Sequence, residues 1–209
     1  MKNQRNIELF KDKKVMMITF DDGPDEINTS LLLDELSKLD VRVTFFVIGK
    51  KIVDHPDIVL RAYNEGHTIA NHTYNHKDFT KLEEAEILTE VNDTNRILND
   101  LLGINNKYLR LPFGKYNNHI LKFLDMSIIH WNIDTADWEH KNAQKTYEHI
   151  ISRAKDGSIV LAHDLYTSTI KGVLLAIDYL LKQGYALISL EEAEKLGYIN
   201  NDISRKYVL

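Results

Sequence analysis

The chain has no cysteine among its 209 residues. That excludes a thiol nucleophile, a thiolate zinc site and any disulfide, and it leaves the redox compartment open. Prolines are scarce, three in all, at positions 24, 56 and 112. No Ser/Gly/Pro-rich linker interrupts the chain. The expected organisation is therefore one domain over residues 1–209, with a core of about 15–190, a short N-terminal extension and a polar C-terminal tail. At this length about 70% of the unfolded surface can be buried, so the core needs no covalent staple. No apolar stretch approaches the roughly 20 residues of a membrane span. The start, Met1-Lys2-Asn3-Gln4-Arg5-Asn6-Ile7-Glu8, lacks the apolar segment of a signal peptide. The expectation is a cytoplasmic chain, or a trimmed form of an exported or cell-wall-associated one. Neither sign of charge dominates. The 26 basic and 31 acidic residues give −5 and are interspersed, so nothing suggests nucleic acid or an anionic membrane as a partner.

What is present is an alternation of two periodicities. Val15-Met16-Met17-Ile18 reads as a buried strand that ends in Asp21-Asp22-Gly23-Pro24. Further strands are expected at 41–48, 67–70, 108–111, 126–133, 158–162 and 185–188. Helices are expected at 30–39, from Pro56 to Glu65-Gly66, and at 83–102, 118–124, 143–154, 168–182 and 191–196. Strand–helix alternation with short connections predicts parallel βαβ units. The count fits a barrel, complete or not, or a doubly wound sheet.

The polar clusters fall where strands end. Asp21 and Asp22 follow the first strand, His72 and His76 the third. Arg110 and Pro112 close the fourth, Asp134 and Asp137 follow the fifth, and His163-Asp164 the sixth. In a parallel barrel or sheet those ends share one face, where active sites lie. His72 and His76, four apart, suit one side of a helical turn and one metal ion. With a carboxylate they would make a two-His, one-carboxylate site with open positions; the plainer reading is a pair of surface or N-cap histidines. His163 emerges from an apolar strand and suits proton transfer near neutrality, or is a core histidine bonded to a carbonyl. Arg110 can hold Asp21 ionised, or form a surface pair. Asp137-Trp138 can orient His163, or make a turn with a packed indole. Trp131 reads as core, and the remaining histidines as structural or exposed. Asp21 and Asp22 are adjacent, so on an ideal strand they would point to opposite faces. The strand must turn there if both serve one site.

Taken in order, these positions resemble the polysaccharide deacetylase family, carbohydrate esterase family four. The resemblance runs from about Val15 to Leu190 and rests on five segments. They are Thr19-Phe20-Asp21-Asp22-Gly23-Pro24, His72-Thr73-Tyr74-Asn75-His76, Arg110-Leu111-Pro112-Phe113-Gly114, Trp131 through Trp138, and Leu161-Ala162-His163-Asp164. It implies a distorted, seven-stranded (β/α) barrel and a divalent metal, commonly zinc, with cobalt or nickel possible. Asp22, His72 and His76 match the metal ligands, Asp21 the general base and His163 the general acid. Arg110 matches the residue that holds the base, and Asp137 the one that tunes the acid. Phe113 matches the residue whose N–H meets the oxyanion. Trp138 and Leu161 match the walls of the acetyl pocket. Leu111 and Ala162 depart from the common pattern and can reshape that pocket or the sugar groove. The implied activity is hydrolysis of N-acetyl groups on N-acetylglucosamine-containing glycans, peptidoglycan or chitooligosaccharide, with release of acetate. Rival readings are a deacetylase of a small amino sugar, a metal-dependent cyclic amide or imide hydrolase, and an inactive binding module.

Overall fold

The apolar run at Val15 opens the longest strand, β1 (Val15–Gly23), eight of whose nine residues are buried. A strand covered on both faces needs such a run, as parallel α/β sheets do. The structure is a computed structural model that describes residues 3–199 and the backbone of Tyr207–Val208. After β1 come α1 (Asn28–Leu36), β2 (Thr44–Val47), α2 (Gly49–Asp54), α3 (Pro56–Asn64) and β3 (Thr68–Asn71). Then follow α4 (Glu84–Leu102), β4 (Tyr108–Leu109), α5 (Asn118–Phe123), β5 (Ser127–Ile129), β6 (Ile133–Asp134) and α6 (Asp137–His140). The chain continues with α7 (Ala143–Ile151), β7 (Ser158–His163), α8 (Thr167–Lys182), β8 (Ala186–Leu187), α9 (Leu190–Lys195) and β9 (Tyr207–Val208). Sequence signals mark several ends. Pro56 opens α3. A capping box of Glu83 and Glu86 starts α4, and left-handed Gly103 stops it.

All strand pairs are parallel, in the order β6-β7-β1-β2-β3-β4-β5-β9, with β8 beside the start of β1. The seven strands from β6 to β5 form a curled, incomplete barrel, as the family resemblance implies and the strand count allows. Alternation along β1 separates two layers. Met16, Ile18 and Phe20 pack outward with α1, α3 and α8 residues such as Leu32, Val59 and Val173. Val15 and Met17 face inward with Phe46, Ala70, Tyr108 and Ile159. Thr19 and Asp21 continue the inward column, so Asp21 reaches the barrel mouth by periodicity alone. Among the described residues, no helix is long and apolar enough to cross a membrane.

The structure departs from the expected elements at two places. The strand expected at 126–133 is two strands, β5 and β6, at opposite ends of the seven-strand run. Their apolar residues read as one run, but the chain leaves β5 at Ile129 and crosses the open side of the barrel. Asn132 then clamps it to β7, its N–H donating to the Ile159 carbonyl and its Oδ1 accepting from Ile159 N. Helix α2 was not expected, because Gly49 and a stretch of only six residues hide it. The polar tail lies largely outside the described residues, although Tyr207–Val208 pairs with β5.

Candidate active site

The turn that adjacent acids require is a bulge. Asp21 pairs with Phe46 and Gly23 with Val47, so β1 has one residue more than β2 at this point. The extra residue is Asp22, at φ 72°, a left-handed conformation that aspartate tolerates better than most side chains. The bulge rotates Asp22 off the helix-facing side and onto the cavity that Asp21 lines. Two groups hold it. Lys51, on α2, donates to the Asp22 carbonyl at 2.7 Å. Asp164 packs under Gly23, where a Cβ would stand 2.5 Å from the carboxylate oxygen. Asp164 is fully buried and accepts from the Thr29 hydroxyl. Burial, only partly offset by Thr29, lifts its carboxyl to about 7. Gly23→Ala should therefore cost about 1–3 kcal/mol of stability, measured by urea denaturation, because a packed carboxyl must move.

Beyond β3, His72 and His76 meet with ring centres 4.8 Å apart. The expected helical turn is absent. A loop brings them together instead, with Thr73 at φ 67° and His76 at φ 56°. It is fastened by Thr73 N to Asn71 Oδ1 at 2.6 Å and by the buried Glu90 of α4, which accepts from Asn75 N and Nδ2 at 2.6 and 2.9 Å. His72 Nε2 and His76 Nε2 each stand 3.3 Å from Asp22 Oδ1. The three ligand atoms lie within 4.8 Å of one another, the one such grouping among the described residues.

These residues fit a divalent ion. His72 Nδ1 lies 2.8 Å from the Arg110 carbonyl, to which its N–H donates. In neutral His72, Nε2 then turns a lone pair toward Asp22 Oδ1, a buried oxygen with no hydrogen-bond partner. Two lone pairs face each other across a gap that a cation would fill. Burial works against a charge on His72, yet Asp21 and Asp22 outweigh it and raise its proton affinity above the ordinary value. The field that draws a proton there draws a metal ion as well.

Arg110 is fully buried and reaches Asp21 Oδ1 at 2.7 Å and Thr19 Oγ1 at 2.6 Å from one nitrogen. It also donates to the Ile129 and His130 carbonyls at 3.1 and 3.2 Å, and its guanidinium lies 4.1 Å from the Phe46 ring centre. It thus ties β1 to the end of β5 across the barrel. The reading of Arg110 as a surface pair fails, and so does that of His163 as a carbonyl-bonded core histidine. Parallel register puts His163 opposite Asp21. His163 Nδ1 bonds to Asp137 Oδ1 at 2.8 Å, and its backbone N–H donates to Asp137 Oδ2 at 2.9 Å. Thr169 Oγ1 donates to the same Oδ2 at 2.8 Å. Burial opposes charge on His163, but the bond to Asp137 prevails and raises it to about 9. Asp137 is itself held below its ordinary range, its burial outweighed chiefly by His163.

The cavity holds about 400 Å³ and is lined by Asp21, Asp22, His72, His76 and His163, with apolar walls from Leu111, Phe113, Trp131, Trp138 and Leu161. Phe113 is left-handed at φ 61° and its ring stands exposed against His76, 4.7 Å between centres. Trp131, read as core, is instead a wall; Gly114 packs so closely that a Cβ would lie 2.7 Å from its indole. Leu111 does face the cavity. Ala162 does not, being buried in the outer layer with Phe20. Asp134 sits on the rim and accepts from Ala136 N at 2.8 Å. Of the other histidines, His67 and His140 are structural, bonded to Val43 N and the Thr135 carbonyl. Sequence reasoning missed Lys51 and Trp131 as parts of the site. A lysine on a short helix carries no signal in sequence, whereas Trp131 opened a segment already matched to the family.

Comparison with known proteins finds similar sequences and a similar fold. The sequence profile of the polysaccharide deacetylase family matches residues 10–126. The peptidoglycan-N-acetylmuramic acid deacetylase PdaC of Bacillus subtilis is 32% identical over 184 residues, which cover 88% of this chain and 39% of that protein. The chain therefore spans about two-fifths of that relative's length. The solved PdaC structure superposes with a TM-score of 0.86 at 31% identity, covering 90% of this chain and 93% of the solved one. A chitooligosaccharide deacetylase of Rhizobium leguminosarum bv. trifolii is 32% identical over 203 residues, 88% of this chain and 94% of that protein. A family 4 acetyl xylan esterase of Clostridium thermocellum, solved with a cobalt ion, has a TM-score of 0.86 at 28% identity, covering 92% and 96% of the two chains.

Proposed function

Because the chain belongs to the polysaccharide deacetylase family, we propose that it is a metal-dependent hydrolase that removes N-acetyl groups from N-acetylglucosamine-containing glycans and releases acetate. One observation carries the reading. The β1 bulge brings Asp21 and Asp22 onto a single cavity with His72 and His76, while the parallel register sets His163 beside Asp21. Residues of about 15–190 act as one catalytic domain in this reading.

A divalent ion held by Asp22, His72 and His76, zinc in our assignment, would polarise the acyl oxygen and acidify a water molecule. Asp21, kept charged by Arg110, takes a proton from the attacking water. The new C–O bond forms, and the Phe113 N–H faces the developing oxyanion. His163 gives the Nε2 proton to the amine nitrogen as the C–N bond breaks, leaving acetate and a free amino sugar. Asp137 holds Nδ1, so the imidazolium turns its other nitrogen to the cavity. Trp138, Leu161 and Leu111 wall the space for the acetyl methyl, and Trp131 closes it from the side.

Because the bond to Asp137 holds His163 above its ordinary value, up to about 9 before an ion offsets Asp21 and Asp22, activity should fall on the alkaline side with an apparent pKa above about 6.5. Removing the charge in Asp137→Asn should shift that limb toward 6.5, as a pH profile of kcat/KM would show. The linkage has the same sign for stability: a raised pKa contributes below about 6.5, and the contribution is lost as pH rises through about 9.

The reading is tested by acetate release from N-acetylglucosamine oligomers of rising length, beside free N-acetylglucosamine and a cyclic imide. Release that grows with oligomer length supports it. Turnover of the imide or the monosaccharide alone would contradict it. A cell-wall substrate goes with an exported chain, short oligosaccharides with a cytoplasmic one.

A further inference from the structure

A second depression adjoins the catalytic cavity. It is a shallow, open trough of about 450 Å³ and shares two walls with the cavity, His76 and Phe113. Its other walls present three ammonium groups, Lys77, Lys81 and Lys115, and one carboxylate, Asp78. Exposure divides them by sign. The lysine side chains are 51%, 78% and 56% exposed, whereas their acidic partners Glu90 and Asp78 are 4% and 11% exposed. Both acids are occupied. Asp78 accepts from Thr80 N and Oγ1 and from Lys115 at 3.0 Å, and Glu90 holds the Asn75 loop. The acids that follow at the start of α4 are also engaged: Glu83 and Glu86 cap that helix, and Glu84 faces His119. An entering ligand meets three ammonium heads and little carboxylate surface, on a chain whose net charge is −5. Lys115 Nζ stands 5.4 Å from the Phe113 ring centre, so the cations begin one aromatic ring beyond the candidate metal ligands.

We propose that this groove receives an anionic substituent, a carboxylate or a phosphate, borne by the sugar next to the one whose N-acetyl group enters the catalytic cavity. The inference rests on the glycan deacetylase reading and narrows its substrate to an anionic N-acetylated glycan. A neutral N-acetylglucosamine homopolymer has nothing to pair with the lysines. Each exposed contact is weak and screened by salt, so the three act together on preference between substrates.

The test is calorimetric titration of the zinc-loaded protein carrying Asp21→Asn to suppress turnover. Its probes are three oligomers of equal length: neutral, carboxylate ether on alternate sugars, and phosphoester on alternate sugars. At low salt one or both anionic oligomers should bind about tenfold tighter than the neutral one. The triple charge reversal Lys77→Glu, Lys81→Glu, Lys115→Glu should abolish that preference and change the neutral oligomer's Kd by less than about twofold. Its melting temperature and zinc stoichiometry serve as folding controls. The arm that gains affinity identifies the group. No preference on either arm, or a preference that survives the reversal, overturns the proposal. Failure of every oligomer to release acetate with the unsubstituted protein would instead overturn the deacetylase reading and leave this binding comparison intact.

Discussion

Asp21→Asn should lower kcat/KM by about 10²–10⁴-fold, the usual contribution of a positioned proton acceptor, while the protein keeps its metal. Asparagine preserves the size of the side chain and one oxygen for the Arg110 contact now made at 2.7 Å. It cannot accept a proton from water. Asp21 is 4% exposed, so the substitution also leaves a buried guanidinium without its counter-charge. A loss of stability of about 1–3 kcal/mol should accompany the kinetic loss. The two effects separate by experiment, since single-turnover rates are read well below the melting temperature and zinc stoichiometry is read on the same sample. A variant that keeps near-normal kcat/KM would remove Asp21 from the proton path.

Arg110→Met should be the most destabilising single change at the site, by about 3–5 kcal/mol, since it strands a buried carboxylate. The guanidinium is fully buried, and burial depresses its pKa, with Asp21 opposing that effect. Its loss also leaves the Ile129 and His130 carbonyls without the donor that ties the end of β5 to β1. Lysine should not rescue it, because one ammonium cannot reproduce a planar fork that serves Asp21, Thr19 and two carbonyls. Urea denaturation of the metal-free protein measures this without interference from the ion. Adding Asp21→Asn to Arg110→Met should recover part of the loss, because the stranded charge is then gone. Equal melting of Arg110→Met and the unsubstituted protein would mean that the pair does not hold the barrel.

Much of this site is legible in the sequence because its residues sit at strand ends, and parallel strands collect their ends on one face. Asp21, Asp22, His72, His76, Arg110, Asp137 and His163 all come together as that rule requires. What the sequence does not carry is register. A bulge is a mismatch between two strands, so Asp-Asp-Gly-Pro cannot announce that Asp22 is the extra residue or that Lys51 will hold its carbonyl. The four-residue spacing of His72 and His76 suggested a helical turn, while two left-handed residues achieve the same convergence in a loop. The apolar residues of 126–133 suit one strand equally well. Only the open side of the barrel, bridged by Arg110 and Asn132, explains the break. Lys51→Met tests the missed contact: the loosened bulge should weaken zinc affinity about tenfold or less, without altering the fold.

In the proposed reaction, the Asp22, His72, His76 cluster holds the ion on which acetate release depends. The most direct test of that claim is stepwise addition of zinc to the metal-stripped protein, with acetate release from an N-acetylglucosamine oligomer followed at each step. Activity should be absent without metal, rise in proportion to zinc, and saturate at one ion per chain, and His72→Ala should neither bind that ion nor regain activity. Acetate release that persists in the stripped protein, or that returns in His72→Ala at the same stoichiometry, would contradict the claim.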